Sequence, residues 1–147
     1  MIVVDASFAV KWLFEEEYSD TADAIAAAVA RQNEPVIAPY LLPIEVTNTI
    51  RQRRRRGALT LEEARGRLSR FFSYRVRLLA PDALSERALT LADDHNLTAV
   101  YDAHYIALAE LAGCDLWTAD QRLIRSLSTP LPYVRWIGDY VEGQTAL

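Results

Sequence analysis

The stretch 101-YDAHYIALAELAGCDLWTAD-120 decides the fold. Tyr101 to Ala112 reads as a helix, and Gly113 is the residue type that ends one, because it takes the left-handed conformation without steric cost. CDLWTA then has the length of a strand, and DQRLIRSL that of a short helix. Two bare carboxylates, Asp102 and Asp120, stand where these elements begin or end.

Outward from this stretch, helix and strand keep alternating. MIVVD is a β-branched run that stops at Asp5, and ASFAVKWLF after it places Phe8, Val10, Trp12 and Leu13 at helical spacing. An alanine-rich helix is expected from Asp20, as its cap, to about Gln32, followed by a strand in PVIAP. A helix from Leu41 to about Arg56 closes at Gly57. Thr60 and Glu63 have capping-box spacing and open a helix through about Ser73. VRLLA at 76–80 is a third strand, Asp82 is expected to cap a helix ending near His95, and YVRWI is a last strand at the sheet edge. Such alternation calls for an α/β fold: a mainly parallel sheet of four to five strands with helices on both faces. No repeat, linker or shift of composition divides the chain, so residues 1–147 are expected to form one domain.

A hydrophobic share of 51% with 24% charged residues excludes intrinsic disorder. The single cysteine, Cys114, can form no internal disulfide, and the opening residues contain no leader or membrane-length apolar segment, so the cytoplasm is the expected compartment. A net charge of -4 argues against a general polyanion binder, although the positive charges are unevenly placed. Lys11 is the only lysine. A receiver domain or an aspartate-nucleophile phosphotransferase needs a lysine late in the chain, and a dinucleotide fold needs a glycine-rich turn where DASFAV has none.

Ligands of open α/β sheets bind beyond the carboxyl ends of the strands, where Asp5 and Asp120 fall and which Asp102 can reach from the start of its helix. Glu45 lies inside a helix, sharing a face with Asn48 and Thr49 beside the apolar stripe, so its half-buried carboxylate needs a partner. Singly, each aspartate has an ordinary use as a helix cap, typically worth about 1 kcal/mol. Gathered together, the four would repel one another, and a hard divalent ion such as Mg2+ or Mn2+ would relieve the repulsion. Cys114, His95 and His104 lack zinc-ligand spacing. The chemistry expected of such a cluster is hydrolysis of a phosphodiester by metal-activated water.

Four segments, VVDASFAVKW, LLPIEVTNTI, YDAHYIALA and LWTADQRL, resemble in order the motifs of the PIN-domain ribonucleases, specifically the VapC-type toxins of toxin-antitoxin pairs. The resemblance implies a three-layer α/β sandwich and a Mg2+- or Mn2+-dependent endoribonuclease. It makes Asp5, Glu45, Asp102 and Asp120 the catalytic, metal-holding acids, with Ser7 and Thr118 as supporting hydroxyls. It also implies an RNA substrate, a cognate antitoxin lying across the active-site groove, and a homodimer or larger toxin-antitoxin assembly. His104 falls at a position the family leaves variable and is expected to be a partly buried helix residue.

The run RQRRRRG places Arg51, Arg53, Arg54, Arg55 and Arg56 as possible RNA contacts, but cations in the last turn of a helix are also favoured by its dipole. Trp12, Phe14, Tyr18, Tyr40, Phe71 and Phe72 read as core or dimer-interface residues before base-stacking ones. The alternative function is a catalytically inert PIN-like module that binds RNA or protein, a reading that no residue favours, since all four acids are present.

Overall fold

Ile2–Val4, β-branched and buried along its whole length, forms β1 at the centre of a five-stranded sheet in the computed structural model, which describes residues 1–143. The last four positions of the expected 1–147 domain lie outside the described residues. β2 (Val36–Pro39) and β3 (Arg77–Leu79) extend the sheet to one side, and β4 (Asp115–Thr118) and β5 (Val134–Trp136) to the other, giving the order β3-β2-β1-β4-β5. Every pairing is parallel. The middle strands are accordingly buried on both faces, which is why they read as continuous apolar runs and not as alternating ones.

The connections are α1 (Ala6–Ala9), α2 (Ser19–Arg31), α3 (Leu41–Arg55), α4 (Leu61–Ser73), α5 (Leu84–Asp94), α6 (Tyr101–Ala112) and α7 (Gln121–Ser126). Right-handed crossovers put α1 to α4 on one face, where the sheet grows from β1 toward β3, and α5 and α6 on the other, where the chain returns to β4. The packing agrees: α3 lies against α1 and α4, while α6 lies against α5, β1, β2 and β4. The middle of α6, from Ala103 to Ala109, is buried nearly all round, and Ala103, Ala107 and Ala109 let it approach the strands closely. Gly113 takes φ +64 at its end, as the sequence requires.

The capping box of Thr60 and Glu63 is formed with both reciprocal bonds. Three local expectations are corrected. Asp20 lies within the first turn of α2 and does not cap it; the cap position is Tyr18, at φ 68, with Ser19 Oγ turned away to donate to the Phe14 carbonyl at 2.6 Å. Asp82 does not cap α5 either, because the turn at Pro81 starts the helix after Ala83 and the Leu84 amide donates to the Pro81 carbonyl at 2.9 Å. The helix expected after β1 is split: α1 spans one turn and Val10–Trp12 tightens to a 3-10 turn. That turn carries Trp12 into the core, where its Nε1 donates to the Ala22 carbonyl at 3.2 Å. Among the described residues no helix is long and apolar enough to cross a membrane.

Candidate active site

The strand order reverses at β1, with β2 on one side and β4 on the other, and the two connections leaving β1 and β4 open a crevice beyond their carboxyl ends. Asp5 follows β1 and Asp120 follows β4 by two residues, so the topology brings them to that crevice from positions 115 residues apart in sequence. α3 enters it with Glu45 and α6 with Asp102. All four carboxylates line one cavity of about 480 Å3.

Asp5 and Asp120 retain their ordinary use as well. Asp5 caps α1 by accepting from the Phe8 amide at 2.9 Å, and Asp120 caps α7 by accepting from the Arg122 amide at 2.8 Å. Asp102 caps nothing; it sits in the first turn of α6, after Val100. Capping and cavity lining are thus the same placement, because a helix that starts at the end of a parallel strand points its N-terminus at the crevice.

Ser7 and Thr118 tie the two strand ends together. Ser7 Oγ donates to Asp5 Oδ1 at 2.7 Å and accepts from the Ala119 amide at 2.9 Å. The Asp120 amide donates to Thr118 Oγ1 at 3.0 Å, and the two hydroxyls stand 3.2 Å apart. With the Ser7 proton committed to Asp5, Thr118 is the donor between them, so the row runs Asp120 amide, Thr118, Ser7, Asp5. Removing a member of a buried row leaves others unsatisfied. Ser7→Ala is therefore expected to lower stability by about 1–2 kcal/mol, read as a lower urea midpoint; a midpoint unchanged from the parent would show that the row contributes nothing.

The electrostatics are those of carboxylates gathered in a partly buried crevice. Burial raises the pKa of Asp5 to about 6, the bonds from Thr118, Ser7 and the Phe8 amide pull it back, and the charge of Asp102 adds to the rise. Glu45 is half-buried; desolvation raises its pKa, the Tyr105 hydroxyl offsets that, and Asp102 adds to it. Asp102, the most open of the four, is raised first by desolvation of its carboxyl and then by Asp120, against Arg122. Three of the four acids also have a partner: Ser7 for Asp5, the Tyr105 hydroxyl for Glu45, and Arg122 for Asp120, with Nε at 3.2 Å from Oδ1.

Among the described residues no three His, Cys, Asp or Glu side chains stand close enough to hold a metal ion as they are placed. The donor set nonetheless fits a hard divalent cation. Five carboxylates against three cations line the cavity, a formal excess of two negative charges. Mg2+ keeps several of its own waters and binds through only one or two carboxylates directly, so a closed protein cage is not required. Oxygen donors without sulfur or imidazole select the same class of ion.

Sequence reasoning overlooked Tyr105, Arg122, Lys11 and Glu16, all of which line the cavity. Tyr105 was legible only as a core residue of α6; its donation to Glu45 spans 60 positions. Burial and Glu45 drive its pKa well above the ordinary tyrosine value, which keeps it a donor. Of the arginine run, only Arg53 reaches the cavity; Arg54 donates to the Leu59 carbonyl at 3.2 Å, and Arg51, Arg55 and Arg56 are exposed. His104 is partly buried, its Nδ1 donating to the Val100 carbonyl at 2.7 Å. Trp12 and Phe71 are in the core, Phe14 and Tyr18 at its margin, and Tyr40 and Phe72 are exposed.

The sequence pattern described as the PIN domain matches residues 2–126. A protein from Mycobacterium tuberculosis named Ribonuclease VapC12 is 38% identical over 128 residues, 86% of this chain and 92% of that one. Ribonuclease VapC3 from Pyrobaculum aerophilum is 32% identical over 124 residues, 83% of this chain and 91% of that one. The crystal structure of PAE2754 from Pyrobaculum aerophilum has the same fold, with a TM-score of 0.67 at 23% identity over 93% of this chain and 89% of that one.

Proposed function

The chain belongs to the PIN-domain family, and from that membership we propose that it is a Mg2+- or Mn2+-dependent endoribonuclease, the toxin of a toxin-antitoxin pair. One observation carries the reading: Asp5, Glu45, Asp102 and Asp120, drawn from four separate parts of the chain, line a single crevice at the switch point of the sheet. Relatives named as ribonucleases supply the reaction class.

In this reading the four acids would hold the metal between them, one or two directly and the others through its waters. When bound, the ion supplies a more acidic water and neutralises charge that builds on the phosphate. The chain's own residues prepare the site. Ser7 and Thr118 fix Asp5 against the end of β4, and Tyr105 fixes the orientation of Glu45. Burial holds the carboxyls of Asp5, Glu45 and Asp102 above their ordinary pKa values, so these three would give up any proton they retain to make room for a divalent ion.

The partners follow from the same reading: RNA in the crevice, an antitoxin that covers it, and a second copy of the chain. The exposed Tyr40 and Ile44, beside the start of α3, support a protein interface. The lone cysteine supports action in a reducing cytoplasm, and the continuous sheet from Ile2 to Trp136 supports a single domain across the described residues. No observation favours the inert binding module.

Incubation of the purified protein with structured RNA should give cleavage in Mg2+ or Mn2+ and none in EDTA. In parallel, Mn2+ at a hundredfold excess over its Kd should raise the melting temperature by roughly 5–10 °C, and Asp102→Asn should shrink that shift. Absence of cleavage with every divalent ion, or an equal shift in both proteins, would sink the metallonuclease.

A further inference from the structure

An anionic RNA backbone must approach a crevice lined by an excess of carboxylates, so some part of the wall has to carry the opposite charge. That part is not the arginine run as a block. We infer that Lys11, Arg53 and Arg67, contributed by three different elements, form a track that grips RNA backbone phosphates next to the carboxylate centre, with Glu16 positioning the first two. The inference rests on the nuclease reading and names the substrate contacts of that same site.

Glu16 is shared by two cations. Lys11 Nζ stands 3.1 Å from its Oε1, and Arg53 Nη2 donates to both oxygens, at 3.1 and 2.9 Å. One carboxylate between two cations leaves a surplus of one positive charge, and all three side chains line the acidic cavity. The remaining cation there, Arg122, is neutralised by Asp120. The three-residue group is therefore the net positive part of the wall.

Its hydrogen-bonding capacity is unspent. A guanidinium has five N–H donors and an ammonium three. Arg53 uses only Nη2 on Glu16, so its Nε and Nη1 donors have no partner among the described residues, and Lys11 keeps two donors beyond the one directed at Glu16. Both side chains are largely buried, with relative exposures of 17% for Lys11 and 28% for Arg53. Held in place and partly desolvated, they give up little further freedom when a phosphate binds.

The track continues outward along Phe14. The Arg53 guanidinium lies 4.0 Å and that of Arg67 5.2 Å from the centre of the Phe14 ring. Cation–π attraction orients both without consuming their hydrogen bonds. Arg67 belongs to α4, which packs on α3, so the row leaves the arginine run at Arg53 and crosses to the neighbouring helix. Arg54, Arg55 and Arg56 point the run elsewhere: they do not line the cavity.

The test measures binding of a fluorescein-labelled 20-nucleotide RNA of mixed sequence by anisotropy, in EDTA so that nothing is cut, from 50 to 200 mM salt. Lys11→Gln combined with Arg53→Gln should weaken binding about tenfold at 50 mM salt and lower the slope of log K against log salt by roughly 0.7 for each phosphate no longer neutralised. Arg54→Gln/Arg55→Gln/Arg56→Gln should stay within about twofold of the parent. Arg67→Gln and Lys11→Gln alone, which leave the Arg53–Glu16 pair in place, should each forfeit part of the affinity and keep the test valid if the double variant does not fold. Equal binding by the parent and the Lys11 and Arg53 variants, an equally large weakening in the Arg54 to Arg56 variant, or no RNA binding by the parent would each overturn the track. A parallel Mn2+ cleavage assay separates the two readings. Binding through Lys11 and Arg53 without cleavage sinks the nuclease and keeps the track, whereas cleavage with unaltered binding in the variants does the reverse.

Discussion

Asp5→Asn is expected to abolish metal-dependent RNA cleavage and, in the same protein, to raise the stability of the metal-free fold. The two effects have one cause. Asp5 is 5% exposed and its folded-state pKa is about 6, against 3.8 for the ordinary side chain. Below pH 3.8 the group is protonated in both states and costs nothing. As pH rises toward 6, the folded protein retains a proton that the unfolded chain gives up, so stability falls; above about 6 the full cost, on the order of 3 kcal/mol, is present. Asparagine carries no charge to desolvate, yet its oxygen still accepts from the Phe8 amide and from Ser7. The variant should therefore gain about 1–3 kcal/mol at about pH 8 in EDTA, and the gain should vanish near about pH 4.

Activity should move in the opposite direction, falling by at least about 100-fold, because a neutral amide neither holds a divalent ion as a carboxylate does nor offsets its charge. Urea titrations at the two pH values, with Mn2+ cleavage assays beside them, read both effects. A variant less stable than the parent at the higher pH would mean that Asp5 serves chiefly as a cap. A stable variant that still cuts RNA would remove Asp5 from the active centre. Opposed signs are the mark of a group retained for function at a cost to the fold.

The second large effect concerns the packing of the hydrophobic core. Trp12 is 1% exposed, stacks on Tyr74 with ring centres 4.3 Å apart and planes at 9°, and meets Phe8 edge-on at 5.4 Å. Its Nε1 also donates to the Ala22 carbonyl at the start of α2. Trp12→Ala should remove about 3–5 kcal/mol, a large part of the ~5–15 kcal/mol available to a domain. Phe72, 56% exposed on α4, provides the contrast, and Phe72→Ala should cost less than about 1 kcal/mol. A destabilisation below about 2 kcal/mol for Trp12→Ala would mean that the site collapses around the void at little cost.

Trp12, Asp20 and Asp82 show where sequence reading succeeds and where it stops. Trp12 was recognisable as core from its spacing with Phe8, but the tightening of its helix to a 3-10 turn was not, because that depends on what Tyr74 and Ala22 present from elsewhere in the chain. Asp20 and Asp82 looked like caps because aspartate favours that position. Tyr18 in a left-handed conformation and the turn at Pro81 set those helix starts instead. A one-turn preference is a small energy, and tertiary packing overrides it.

By itself, the sequence determined the alternation of strand and helix, the burial of the central strands and the placing of Asp5 and Asp120 beyond strand ends, since each follows from residue type and local period. The strand order β3-β2-β1-β4-β5, by contrast, was decided by the tertiary structure, and with it the meeting of those aspartates at one switch point. Tertiary packing alone also chose Tyr105 for Glu45, Arg122 for Asp120, and Glu16 for both Lys11 and Arg53. The physical reason is one of range. Backbone periodicity and capping act over a few residues and are written locally, whereas charge compensation in a partly buried crevice is settled by whichever side chains the fold brings within a few ångströms, whatever their distance along the chain.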